Sequence, residues 1–163
     1  TPPLQQTLLF SVKLHRKNSN YPIGDKDMIL IACVDDGFGM MFNHRRQSQD
    51  RVLRDHIIAL TSGKQLWMNH YSAKQFDGVA GQINTDDACL SEAAPGDYCF
   101  VEDEDVTQYE QWIEKIILYK WNRKYPSDLK FGIPLKEHGW VLSRSTDFAG
   151  SSHDKITEEV YTR

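Results

Sequence analysis

The sequence predicts an α/β sandwich with a mainly parallel sheet and an antiparallel C-terminal edge. Three observations carry this. Residues 28–34, MILIACV, form an unbroken apolar run, the pattern of a strand inside a sheet covered on both faces. Strand-like and helix-like segments then alternate, as parallel sheets require for their crossovers. Two strand-like segments, GWVLSRSTDF and KITEEVYTR, close the chain back to back and predict a hairpin with AGSSHD as its loop.

In chain order, DDGFG is a turn after the first strand, and the neighbouring MMF is apolar enough for the core. A helix is predicted over about 49–61, where Leu53, Ile57 and Leu60 share one face and Arg51, Arg54 and Asp55 stay wet. Thr61, Ser62 and Gly63 close it. KQLWMN reads as a short strand, YSAKQF as a brief helix, and a loop with Gly78 and Gly81 follows. TDDACLSEA predicts a helix stopped by Pro95 and Gly96. DYCFVE is a strand, VTQYEQWI a short helix, and KIILYKW a strand with Ile116, Leu118 and Trp121 for the core. EEVYTR also fits a helix.

Residues 28–163 read as a single α/β domain. Residues 1–27 read either as an upstream extension or as an edge strand over 7–15 followed by a linker rich in Pro, Gly and polar residues. Nothing there has the charged start, apolar centre and small-residue cleavage site of a signal peptide. The 163 residues carry 40% apolar and 26% charged side chains and a formal charge of −4. That balance argues against wholesale disorder and against a protein built mainly to coat nucleic acid. No apolar run is long enough to span a bilayer. Cys33, Cys89 and Cys99 are too few for a disulfide framework and have no zinc-type spacing. An odd count fits a reducing, cytoplasmic setting.

These segments resemble the dihydrofolate reductase family. MILIACVDDGFGM is similar to its opening strand and turn. LWMNHYSAKQF is similar to its cofactor strand and following helix, which usually reads M-G-R-x-T. KIILYKWNRKYPSDLKFG is similar in spacing to its late strand and G-D-T-x-F-P motif, with Asp128 and Phe131 in the matching places and Trp140 where the family often has a tryptophan. The resemblance covers about residues 28–163, with a shortened middle around 77–97, and implies a three-layer dihydrofolate-reductase-like sandwich. It also implies NADPH as cofactor, and here the residues depart from it. The paired glycines that let backbone N–H groups approach phosphate are replaced by Glu102 and Asp103, within a run of four acids to Asp105. The family's Arg and Gly of the cofactor strand become His70 and Asn69, while Ser72 stands at the helix-start Thr. The ring-contacting Thr of the late strand becomes Tyr119. The substrate carboxylate falls within one residue of Asp50, and strict matching places Arg51 there. The expectation is therefore a related fold that has lost the standard NADPH site.

GMMFNHRRQSQDR also resembles a group of short bacterial proteins with a GMMFN-x-RRQS-x-D-R signature. The name ribonuclease Z, attached to some of them, belongs to an enzyme needing a His-x-His-x-Asp-His cluster for two metals. None of the histidines at 15, 44, 56, 70, 138 and 153 has that spacing, and no metal ligands are expected.

Two segments carry the candidate chemistry. Asn43, His44, Arg45, Arg46, Gln47, Ser48 and Asp50 lie between a strand and a helix, where α/β proteins hold ligands, and adjacent guanidinium groups suit a phosphate or carboxylate. The plainer alternative is a solvated loop with Ser48 or Asp50 as helix cap and the arginines paired with Asp35, Asp36 or Asp55. Asn69, His70 and Ser72 open the next helix. They could bind an anion, with His70 as acid or base, or simply cap. Asp50 and His70 are the catalytic candidates. The acids 102–105 read as a hard-cation site or, more plainly, a solvated turn capping the next helix. Cys33 and Cys99 suit the core. Ser152, His153 and Asp154 sit too close together on one loop to form a triad among themselves. A tryptophan among Trp67, Trp112, Trp121 and Trp140 could stack a ligand ring.

The leading functional expectation is a domain binding a small anionic or heteroaromatic ligand of nucleotide or pterin type. Arg45, Arg46 and Asp50 would hold one end, with His70 and Ser72 opposite. The alternatives are a non-catalytic protein-interaction or regulatory module, and a metal-independent ribonuclease or RNA-binding protein using His44 or His70. Nucleic acid is not the favoured partner, and no membrane is expected.

Overall fold

The computed structural model describes residues 28–76 and 83–163. The expected extension 1–27 and the glycine loop around 78–81 lie outside these residues. Alternation along the opening strand β1 (Met28–Val34) sets the layers. Met28, Leu30, Ala32 and Val34 point into one core, and Ile29 and Ile31 into another. β1 lies in the middle of a seven-stranded sheet, with β6 (Tyr98–Phe100) and β7 (Ile113–Lys120) parallel on either side. Each face of so buried a strand needs its own cover, which explains the unbroken apolar run.

The sheet order is β5 (Ile83–Thr85), β4 (Leu66–Met68), β6, β1, β7, β10 (Ile156–Thr162), β9 (Val141–Phe148). β4 and β5 extend the parallel part. β9 and β10 form the antiparallel hairpin, and β10 pairs antiparallel with β7. EEVYTR is thus strand, because Glu159 and Val160 stand opposite Leu118 and Ile117 of β7. The fold class is the expected mixed α/β sandwich.

Helix α1 (Arg51–Leu60) covers one face with Leu53 and Ile57, one turn apart and both buried. Asp50 caps it by accepting the Leu53 N–H at 3.1 Å, and Thr61 closes it by donating its hydroxyl to the Ile57 carbonyl at 2.9 Å. The opposite face, where Met28 and Leu30 point, carries the second core, filled by Leu90, Trp112, Phe131, Ile133 and Trp140. Trp121 is buried on the α1 side, opposite Ile116 and Leu118.

Local pattern misleads at several places. The helix expected over TDDACLSEA shrinks to α3 (Cys89–Glu92), because Ile83–Thr85 pairs with β4 as an edge strand. VTQYEQWI forms a 3₁₀ turn, Thr107–Trp112. The brief helix after β4 is α2 (His70–Ala73), continued by a 3₁₀ turn, Lys74–Phe76. A small second sheet was not foreseen. It joins β3 (Arg45–Arg46), β2 (Gly39–Phe42) and β8 (Leu129–Lys130) in that order, antiparallel. Met40 and Met41 are core as expected, but Phe42, at the end of β2 beside the turn, is 47% exposed.

Candidate functional site

Tight reversal between β2 and β3 brings the arginines back toward the main sheet. Asn43 and His44 form that turn with φ of 52° and 60°, and the Asn43 N–H donates to Asp128 Oδ2 at 3.0 Å. His44 and Arg45 stay exposed.

Arg46 turns inward onto Glu102, which lies just after β6. Its Nε donates to Oε2 at 2.9 Å and its Nη2 to Oε1 at 3.2 Å, a forked ion pair. Ser72 Oγ donates to the same Oε1 at 2.7 Å. The guanidinium lies 4.5 Å from the centre of the Tyr71 ring, and the Arg46 N–H donates to the Tyr71 hydroxyl at 2.9 Å. Next door, Asn69 caps α2 by accepting the Ser72 N–H at 2.9 Å and donates its Nδ2 to Asp103 Oδ1 at 2.8 Å. Arg46, Asn69 and Ser72 therefore converge, and what they converge on is the chain's own acidic segment. Glu102 is only 8% exposed, so the solvated-turn expectation fails for it; only Asp105 holds the following 3₁₀ turn, accepting from Thr107. Burial opposes the Arg46 charge, but Glu102 outweighs it and raises the pKa. Cys33 is kept as a thiol, pushed up by burial and then by the Glu102 charge.

Neither arginine pairs with Asp35, Asp36 or Asp55. Asp35 is buried at the β1–β2 turn and accepts the N–H groups of Gly37, Gly39 and Tyr125 at 2.8, 2.7 and 3.1 Å. Burial acts to raise its pKa, and those donors together with Gln47 hold it below the usual range. Gln47 donates to Asp35 Oδ2 at 3.1 Å and to the Pro126 carbonyl at 3.2 Å. Asp55 pairs at 3.6 Å with Arg51, in the open.

Asp50 lies apart from the Arg46 cluster. Its carboxylate has no exposed surface. Besides the Leu53 cap it accepts the N–H groups of Ser151 and Ser152 at 3.0 and 2.8 Å and faces His153 Nδ1 at 3.0 Å. Burial works against the charge, but those donors hold its pKa far below the carboxylate range. The other ring nitrogen of His153, Nε2, lies 3.0 Å from Ser48 Oγ and 3.2 Å from the Tyr125 hydroxyl, and the ring stacks on Trp121. Sequence reasoning missed His153, Glu102 and Tyr125 as site partners. Asp50 and His153 are 103 positions apart, and no local pattern joins them.

His70 stands elsewhere again. Both its N–H and its Nδ1 meet Asp87, at 3.0 and 2.9 Å, on open surface. Among the described residues no interaction joins it to His44, and no group of three or more His, Cys, Asp or Glu side chains is placed to share a metal. A third polar cluster sits under α1. There Tyr119 donates to Glu158 at 2.8 Å, His56 lies 2.9 Å from the same hydroxyl, and Arg144 meets Glu158 at 3.3 Å. Burial, then Glu158, drives the Tyr119 pKa up. A cavity of about 570 Å³ opens beside the second core, lined by Phe38, Phe131, Trp140, Tyr161 and Lys136 among others. Among the described residues no helix is long and apolar enough to cross a membrane.

No family model and no curated protein matches the chain. Solved structures do. A dihydrofolate reductase from Enterococcus faecalis, complexed with NADP(H) and RAB-propyl, superposes with a TM-score of 0.59 over 84% of this chain and 96% of that one, at 8% identity. The chain thus has a dihydrofolate-reductase-like fold, and at that identity the likeness extends to the fold alone.

Proposed function

We propose that the chain is a small-molecule-binding domain on a dihydrofolate-reductase-like fold whose dinucleotide phosphate place is filled by its own carboxylates. The observation that carries this reading is Glu102 in the grip of Arg46 and Ser72. The family resemblance puts paired glycines and phosphate-holding side chains at these positions. Here the cationic and hydroxyl donors already hold an anion, and it is covalently part of the chain. A phosphate would have to displace a forked, nearly buried pair, at a cost of about 3 kcal/mol or more. The ligand therefore differs from NADPH in how it is held.

The ligand itself is heteroaromatic with an anionic group. The cavity beside Phe131 and Trp140 supports this: its aromatic walls suit a flat ring, and Lys136 at its lining supplies a cation. This moves the ligand away from the Arg45, Asp50 and His70 arrangement expected from sequence, because Asp50 is enclosed and His70 is paired with Asp87. Thermal stability against a panel of nucleotides and pterins tests it. A true ligand at about 100 times its Kd adds about 2.7 kcal/mol. Lys136→Glu is expected to weaken that ligand about tenfold, and equal affinity in the variant would remove the cavity from the account.

A second reading, an interaction module, is favoured by one observation. β9 ends the seven-stranded sheet with Val141 62% and Leu142 46% exposed, an open edge of the kind that pairs with another chain.

A further inference from the structure

His153 bridges Asp50 and Ser48 through its two ring nitrogens. Asp50 is an anion, enclosed by the N–H groups of Leu53, Ser151 and Ser152 and by the hydroxyls of Ser151 and Ser152 at 3.2 and 3.1 Å. An anion 3.0 Å from His153 Nδ1 requires the proton on that nitrogen. In the neutral Nδ1–H tautomer Nε2 carries the ring's one lone pair, which accepts from Ser48 Oγ at 3.0 Å, with the Tyr125 hydroxyl 3.2 Å away. This is the tautomer and direction that a general base needs toward a serine nucleophile. Exposure is graded in the same sense. Asp50 and the imidazole are buried, whereas Ser48 is half-buried at the edge of the cluster. Capping α1 does not explain the histidine, since backbone donors and serines already satisfy Asp50 without it.

We propose that Ser48 is a nucleophile activated by His153, with Asp50 as the positioning residue, and that this site cleaves small esters. Ser48 Oγ attacks the ester carbonyl and forms the new O–C bond, and its proton passes to His153 Nε2. The tetrahedral intermediate collapses, the bond to the leaving alcohol breaks, and that alcohol takes the proton from Nε2. Water then repeats the sequence, releasing the carboxylic acid and restoring Ser48. The adjacent set Ser152, His153 and Asp154 cannot do this, but the folded chain supplies His153 with a distant serine and a distant aspartate. The site is separate from the ligand cavity and does not depend on it.

Labelling of the full chain with diisopropyl fluorophosphate tests the proposal. The reagent forms a Ser–O–P bond and releases fluoride, read as one adduct by intact mass and placed by peptide mapping. The expected result is a single adduct on Ser48, absent in Ser48→Ala, with p-nitrophenyl acetate turnover falling about 100-fold in that variant. The groups facing the imidazole are Asp50, Ser48, Tyr125, Ser152 and Trp121. An unlabelled Ser48 in folded wild-type protein, or unchanged turnover in Ser48→Ala, overturns the proposal. Neither outcome needs His153 to be replaced.

Discussion

Replacing Glu102 by Gln keeps its shape and removes its charge, which leaves the Arg46 guanidinium half-buried without its paired carboxylate. The expected cost is about 3 kcal/mol, measured by urea unfolding. Arg46→Met combined with Glu102→Gln removes both charges and is expected to lose less than the two single losses added together. Simple additivity would mean that the pair is not coupled. Asp50 makes a pH prediction. Its folded pKa is depressed, so between the unfolded carboxylate value of about 3.9 and the folded value the unfolded chain binds more protons. Its contribution is fully present above that range and is lost as pH falls through it. Asp35 acts in the same direction. Asp50→Asn should therefore flatten the rise of stability with pH on the acid side. An unchanged slope would mean that Asp50 is not held as an anion. These residues show what the sequence carried. The donors Arg46, Asn69 and Ser72 were legible as anion-seeking types near strand ends. Their actual partners, Glu102 and Asp103, were not, because carboxylates 30, 34 and 56 positions away leave no periodicity behind.

At the scale of elements, the β2–β3 reversal uses two left-handed residues, Asn43 and His44. His44→Gly relieves the side-chain strain at φ 60° and is expected to stabilise by about 0.5 kcal/mol, whereas His44→Val should cost about 1 kcal/mol or more. Thermal unfolding of the two variants orders them. The loop before β10 is tighter. A Cβ on Gly150 would lie 2.5 Å from Asp50 Oδ2 and 2.9 Å from Ile156 Cδ1. Gly150→Ala should cost about 2 kcal/mol by overpacking, and loss of Ser48 labelling in the same variant would tie the loop to the site. Long elements were readable. β1, β7, α1 and the final hairpin have enough residues for their period to show. The two- and three-residue strands β3, β5 and β8 do not, and only pairing in three dimensions makes them strands.

For the whole molecule, the sheet divides the chain into two cores, and the clusters sort by face and edge. The likeness to a reductase solved with NADP(H) bears on the architecture alone. The unbroken apolar β1 announced a doubly covered sheet, so the fold class was legible. Function was not, because it depends on which charges the fold neutralises internally. Titration calorimetry of the full chain with NADPH tests that most directly. The account predicts no saturable heat, because Glu102 already holds Arg46 and Ser72. Tight, saturable NADPH binding that is lost in Arg46→Met would show a working phosphate place and contradict it.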